Sequence, residues 1–265
     1  MRCAMIGAVV GSFAALLMAS PASAQSHAWS GFYVGGSIGL RATDLDWRTT
    51  SIFPTLPAPF TPLGPDGTAG RDFGETDFRF AGYAGFNAQV APTWVLGIEA
   101  SIGTSIDSSN PKVGIPGAPA AVPGYLADTS NDRVSIATDW DANVRARIGY
   151  LVTPATMLYL AGGVAFQDVV FRASCVGNPI TNACFQNNTE SQRKLRTGWT
   201  IGGGVEQSLG GKLFARIDYA YSDFGTFSHT FFRGAADVTV PFDDQFGGKV
   251  DLSTHAVNFG LAYKF

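Results

Sequence analysis

The sequence predicts an all-β fold, in which eight antiparallel strands form an up-and-down barrel that crosses a membrane. The segment 139–150, DWDANVRARIGY, alternates strictly between two kinds of residue, as a strand with two unlike faces does. One face carries Trp140, Ala142, Val144, Ala146, Ile148 and Tyr150, and the other carries Asp139, Asp141, Asn143, Arg145, Arg147 and Gly149. In a tilted strand, Trp140 and Tyr150 lie roughly 25 Å apart along the barrel axis, which is the height of the apolar band on membrane-spanning barrels.

Seven further segments alternate in the same way, and the connections between the eight are alternately long and short. The predicted strands are 29–41, 76–90, 94–104, 139–150, 157–167, 196–208, 212–224 and 250–265. Short turns lie at 91–93, 153–155 and 209–211, and four long loops join the other strand ends. This order is typical of barrels with periplasmic turns and external loops. A soluble eight-stranded barrel is the alternative.

The N-terminal residues have the pattern of a secretory signal peptide. Arg2 is followed by an apolar run over 4–18 and by Ala22-Ser23-Ala24, an A-x-A site that predicts cleavage between Ala24 and Gln25. The run is too short to span a bilayer as a helix. We therefore expect residues 1–24 to be removed and residues 25–265 to form the barrel domain of an exported protein.

Composition favours a membrane barrel over other classes. Charged residues make up 15% of the chain, against about 25% in typical soluble proteins, and after the signal no apolar run is long enough for a membrane helix. A strand barrel is then the remaining way to cross a bilayer. The net charge is −3, and removal of Arg2 makes it one unit more negative, so the chain lacks the basic surface that nucleic acid requires.

Several blocks resemble the porin-like outer-membrane β-barrel family of Gram-negative bacteria, which includes small immunogenic surface proteins. They are WSGFYVGG at 29–36, VRARIGY at 144–150, LYLAGGVAF at 158–166, TGWTIGGGVE at 197–206, ARIDYAYSDFG at 215–225 and the terminal FGLAYKF. The resemblance implies location in the cell outer membrane, surrounded by membrane lipids and lipopolysaccharide. It also implies that the barrel assembly machinery reads an alternating C-terminal signal, which here is Val257, Phe259, Leu261, Tyr263 and Phe265.

The charged phase of the strands must face the barrel interior, because an Arg or Lys on the lipid face at mid-bilayer costs about 2 to 4 kcal/mol. The residues placed inside are Arg79, Glu99, Arg145, Arg147, Glu206, Arg216 and Asp218. An eight-stranded barrel is just wide enough for side chains to fill, so opposite charges should pair and hydrogen-bond there. The prediction is a salt-bridged, largely closed lumen in a structural surface protein. The alternative is a narrow porin for ions or small solutes.

Two cysteines, Cys175 and Cys184, remain after signal cleavage. An even pair in an exported protein predicts a disulfide, and closing this short loop would contribute roughly 2 to 3 kcal/mol.

No catalytic arrangement emerges from the sequence, so we predict a protein that is not an enzyme and has no cofactor. Asp251, Ser253 and His255 share one strand phase, but neighbours in such a phase are about 7 Å apart, too far for a nucleophile and its base. A lipid-modifying enzyme remains an alternative. The aromatic segment 224–234, FGTFSHTFFRG with His229, predicts either a haemin or adhesion surface or a continued hairpin whose rings pack locally.

Overall fold

The chain folds into strands joined by short turns in the part that the structure, a computed structural model, describes. The described residues are 29–52, 70–106, 112–113, 133–175, 187–232 and 246–265. The strands are β1 Gly31–Ile52, β2 Gly70–Asp72, β3 Glu75–Ala91, β4 Trp94–Ile106, β5 Lys112–Val113, β6 Arg133–Thr153, β7 Thr156–Cys175, β8 Asn188–Gly210, β9 Leu213–Phe231 and β10 Phe246–Lys264. No helix in these ranges is both long and apolar enough to cross a bilayer. The cleavage site at Ala24 and Gln25 and the predicted Cys175–Cys184 disulfide lie outside the described residues and side chains.

Eight of these strands close into an antiparallel ring, as the alternation predicted. The order around the ring is β1-β3-β4-β6-β7-β8-β9-β10, and β1 pairs with both β3 and β10, so that Gly35 lies between Tyr83 and Ala262. Three two-residue turns join β3 to β4, β6 to β7 and β8 to β9 at one rim. The predicted fold class is therefore confirmed, with β2 and β5 as short additions at the other rim.

Aromatic side chains mark two levels on the outer wall. Near the turns, Phe32 packs on Phe86 with ring centroids 4.8 Å apart, and Trp94 packs edge-on against Tyr150 at 5.2 Å. Towards the opposite rim, Trp199 lies 5.4 Å from Tyr221. Between these levels the outward residues are apolar and exposed, which is the arrangement expected of a wall in contact with hydrocarbon.

The strands extend much further beyond the outer aromatic level than the sequence predicted. The predicted loop over 168–195 is largely strand, since β7 runs to Cys175 and β8 begins at Asn188. The predicted strand end at Arg41 is also wrong, because β1 continues to Ile52. The reason is an inversion of the two faces: past Arg41 the inward residues Leu45 and Trp47 are apolar and buried, while the outward residues are polar. Outside the bilayer a strand packs its apolar face against a core and exposes its polar face to water, as in a soluble protein.

The extended part separates into two sheets. Pairing between β8 and β9 ends at Trp199 and Asp223 in the described residues, although both strands continue to pair with their other neighbours. One sheet thus contains β5, β6, β7 and β8, and the other contains β9, β10, β1 and β2. They enclose an apolar cluster, here called the outer core. Its members are Leu45, Trp47, Phe73, Val134, Ile136, Ala165, Val169, Phe171, Ala173, Phe224, Phe227, Phe231, Phe232, Val250 and Leu252.

Glycines create space for large inward side chains at the turn end of the barrel. Gly35 lies opposite Tyr83 and Gly85 lies opposite Tyr33, so each tyrosine ring covers a glycine on the neighbouring strand. A Cβ atom at either glycine would overlap the facing phenol. This reciprocal exchange allows two buried tyrosines to enter a lumen that would otherwise be too narrow for them.

Candidate functional site: the barrel interior

The centre of the interior is an ion-pair group organised around Glu99. This carboxylate is buried and accepts hydrogen bonds from Arg145 (2.9 Å), Arg147 (3.1 Å) and Arg216 (2.5 Å). Tyr33 donates a further hydrogen bond to it over 2.9 Å. Three guanidinium groups therefore share one carboxylate, and two further carboxylates are needed to balance the remaining positive charge.

Glu206 and Asp218 supply that balance. Glu206 accepts a hydrogen bond from Arg147 over 2.8 Å, and Asp218 lies 3.4 Å from Arg145. With Glu99 these acids make three carboxylates for three arginines, so the group is formally neutral. A neutral set of buried charges avoids the cost of an unpaired ion in a low-dielectric interior.

A second ion-pair group lies further from the turns. Asp141 accepts hydrogen bonds from Arg79 and, over 3.0 Å, from Arg41, which also lies 3.9 Å from Asp77. Arg41 makes additional hydrogen bonds to the hydroxyls of Ser105 and Thr138. Two arginines and two carboxylates again give a neutral set, so the two groups together present no net charge to an ion.

Tyrosine rings hold the arginines of the Glu99 group in place. The guanidinium carbon of Arg216 lies 3.5 Å from the centroid of the Tyr83 ring, and that of Arg147 lies 4.1 Å from the Tyr159 ring. A desolvated cation over an aromatic face contributes about 2 kcal/mol or more. The rings thus replace part of the hydration that these buried cations lose.

Two apolar clusters lie in the interior, one on each side of the charges. The outer core lies on one side, and on the other lies an inner core, whose members are Trp29, Tyr33, Tyr83, Val95, Leu151, Met157, Tyr159, Ala161, Phe214 and Ala262. Trp29 packs on Phe214 and donates its indole N–H to the carbonyl of Pro154 over 3.1 Å. The cavity among the charges has a volume of about 40 Å³. Small-molecule sites are typically about 300 Å³ or larger, so this space is far too small for a solute.

All seven charged residues predicted to face inward are buried, and the structure brings six of them into the Glu99 group and Arg79 into the second group. Sequence reasoning missed Arg41, Asp77 and Asp141 as members of the network. Asp141 shares its strand phase with Arg145 and Arg147, so a signal was present. The first predicted strand ends at Arg41, and this early end hid the inward position of Arg41 in the middle of β1.

The aromatic segment that suggested haemin or adhesion packs into the outer core. Phe224, Phe227, Phe231 and Phe232 are all buried. Both ring nitrogens of His229 have partners, with Lys194 Nζ 3.2 Å from Nδ1 and Glu190 Oε1 3.1 Å from Nε2. This geometry fits the predicted continuation of the hairpin, in which the rings pack locally.

The polar residues at the outer end of β10 do not form a catalytic set. His255 lies 2.7 Å from the hydroxyl of Tyr219 and 3.5 Å from Asp44, while Asp251 is bonded to Thr226. His255 and Asp251 thus point to neighbouring strands rather than to Ser253. In the described part of the chain, no three His, Cys, Asp or Glu residues are close enough to hold a metal ion.

The predicted C-terminal signal residues all lie on the outer face of β10. Phe259, Leu261, Tyr263 and Phe265 are exposed, and Val257 is partly exposed. They form the wall next to β1 and β9, because Tyr263 pairs with Val34 on one side and Leu213 on the other.

A closed ring of eight antiparallel strands, with an apolar band between aromatic levels and charges confined to the interior, defines a transmembrane β-barrel. The chain matches the outer membrane protein beta-barrel domain family over residues 12–265, and it belongs to that family. It is an outer-membrane protein, as the resemblance implied.

Curated relatives are outer-membrane proteins of related size. The chain is 29% identical over 192 residues to the 31 kDa outer-membrane immunogenic protein of Brucella melitensis, covering 72% of this chain and 70% of that protein. It is 27% identical over 143 residues to the 25 kDa outer-membrane immunogenic protein of Brucella abortus, a match that spans about half of each chain, 54%. It is 24% identical over 196 residues to the 22 kDa outer membrane protein of Rhizobium leguminosarum, covering 74% of this chain and 64% of that protein.

Solved structures with a similar course include Neisserial surface protein A, with a TM-score of 0.35 and 13% identity, covering 89% of this chain and 98% of that chain. The outer membrane protein OprG of Pseudomonas aeruginosa gives a TM-score of 0.46 and 10% identity, with the same coverage of 89% and 98%.

Proposed function

We propose that the protein is a structural, non-enzymatic surface protein of the outer membrane, with an interior that stays closed. The observation that carries this proposal is the state of the ten charges in the two ion-pair groups: each has an oppositely charged partner within 4.0 Å. Apolar clusters at both ends support the same conclusion, since an ion would have to enter hydrocarbon-like surroundings to pass.

The purified mature chain, inserted into planar bilayers, should show no reproducible unitary conductance. The ion pairs are neutral in sum and the cavity among them is too small for a hydrated solute, so we expect an ion to pass only if several buried salt bridges break. A larger porin in the same bilayers serves as the positive control. Regular unitary steps that disappear when Arg145 or Glu99 is replaced would favour the narrow porin instead.

We further propose two partners for the outer wall: outer-membrane lipids with lipopolysaccharide, and transiently the barrel assembly machinery. The exposed alternating residues at 257–265 support the second, but lipid contact alone would also explain them. The two roles can be separated by comparing assembly in cells with unassisted folding.

Substitution of Phe265 by Ala should lower the folded fraction in cells several-fold and leave refolding of the purified chain into lipid vesicles unchanged. A residue that is read by the machinery matters when the machinery acts, whereas a residue that merely faces lipid matters in both settings. Leu160→Ala is the matched control, because Leu160 is equally exposed, at 67% against 68% for Phe265. The shift in gel mobility on heating measures folding. Equal losses in both settings would contradict the signal role.

A further inference from the structure

The outer wall has a recess in its apolar band, where two small residues face each other. Gly36 and Gly82 are cross-strand neighbours on β1 and β3, and both point outward. A Cβ atom at Gly82 would meet nothing within 4 Å, and one at Gly36 would meet a single carbonyl oxygen at 3.8 Å. Larger side chains surround them and produce a groove of about 730 Å³. Its walls are Ile38, Phe80, Ile102, Phe259 and Leu261, and Trp140 lies at one end.

The groove runs obliquely through the membrane band. One of its rows of cross-strand neighbours passes from Phe259 through Ile38, Phe80 and Thr104 to Trp140. On β10, Phe259 lies six residues from Phe265, whereas on β6 Trp140 lies thirteen residues from Thr153, which closes the same rim. These counts place the two ends roughly 15 Å and 30 Å from the turn rim. The groove therefore descends from the outer interface at Trp140 to the middle of the bilayer at Phe259.

We infer that this groove binds one acyl chain of lipid A from the outer leaflet. Four strand-to-strand steps give a path of about 19 Å, which suffices to cross the roughly 15 Å thickness of one hydrocarbon leaflet. Three residues of the lining are polar, namely Ser37, Thr104 and Trp140. Ser37 is buried, and the hydroxyl of Thr104 and the indole of Trp140 lie at the outer end, where a headgroup lies. Lipopolysaccharide occupies the outer leaflet of an outer membrane, and the slope of the groove selects that leaflet.

The acyl-chain site rests on the proposed contact with lipopolysaccharide. It can be wrong while the proposal of a closed interior is right, and the two have separate tests. The test uses the refolded mature chain in detergent with purified lipid A, or with phosphatidylethanolamine as the phospholipid probe. Native mass spectrometry counts the lipid molecules that each barrel retains. Wild type should retain one lipid A and several-fold less phosphatidylethanolamine.

Filling the recess should reduce this retention. In Gly82→Leu, and in the second variant Gly36→Leu, the new side chain occupies the groove, and retention of lipid A should fall at least about fivefold through steric exclusion. Gly162→Leu is the matched control, since Gly162 also lies in the outward phase, on β7, but does not line the groove. It should retain lipid A as wild type does.

The shift in gel mobility on heating identifies folded variants, and either recess variant that folds decides the question. Undiminished lipid A on a folded recess variant would overturn the site, and equal retention of the two probes by wild type would overturn the choice of lipid A. If the lipid A site is overturned but the planar bilayers show no unitary conductance, the proposed structural role with a closed interior is still supported.

Discussion

Replacing Glu99 by Gln should destabilise the folded barrel by about 3 to 5 kcal/mol, the usual cost of leaving buried charges without a partner. Arg145, Arg147 and Arg216 all donate to this carboxylate, so an amide at the same place leaves three guanidiniums with two acids. Urea unfolding of the refolded chain in lipid vesicles, followed by tryptophan fluorescence, measures the change in the free energy of unfolding.

Two further variants show whether charge is the cause. Asp139→Asn removes an ion pair with Arg193. Both side chains are about half exposed, Asp139 at 49% and Arg193 at 60%, so the loss should cost less than about 1 kcal/mol. Adding Arg145→Met to Glu99→Gln restores neutrality and should recover part of the loss, because the two sites are directly coupled. A Glu99→Gln barrel as stable as the Asp139→Asn barrel would contradict the proposed ion-pair core.

Trp47→Ala should destabilise the part of the barrel outside the membrane by about 3 to 5 kcal/mol, the usual effect of truncating a buried aromatic side chain. The Trp47 side chain is 1% exposed, its ring lies 6.0 Å from that of Phe231, and it fills the space over Gly248. The ring thus joins three strands of one sheet to the outer core.

Hydrogen exchange measures where this loss falls. Backbone amides of β1 after Asp44, and of β10 before its partner Ser253, should exchange faster in Trp47→Ala. Amides within the apolar band should keep their protection, since Trp47 packs in the outer core. Arg48→Ala, the exposed neighbour on the same strand, should change stability by no more than about 0.5 kcal/mol. Uniform loss of protection along both strands would show that the outer core is not a separate cooperative unit.

The alternation of residue types along the strands is enough to predict much of the barrel interior. Because period two assigns every residue to one face, the inward position of Glu99, Arg145 and Arg216 follows directly from their strand phase. The pairing does not follow in the same way. Register places Glu206 opposite Arg216 on β9, yet Glu206 bonds Arg147 on β6, two strands away in the other direction around the ring. Long side chains in a narrow lumen reach more than one strand, so their partners depend on the closed ring.

The sequence by itself determined the ring of eight strands, the location in a membrane and the inward position of seven of the ten interior charges, since the bilayer imposes one rule on every strand that crosses it. Only the tertiary structure decided the length of the strands and the part beyond the membrane. There the inward positions become apolar instead of charged: Leu45 and Trp47 lie on the same face of β1 as Arg41 and are buried. Residues still alternate between the two faces of the strand, but the apolar face changes from outward to inward, because the surroundings of the barrel change from hydrocarbon to water.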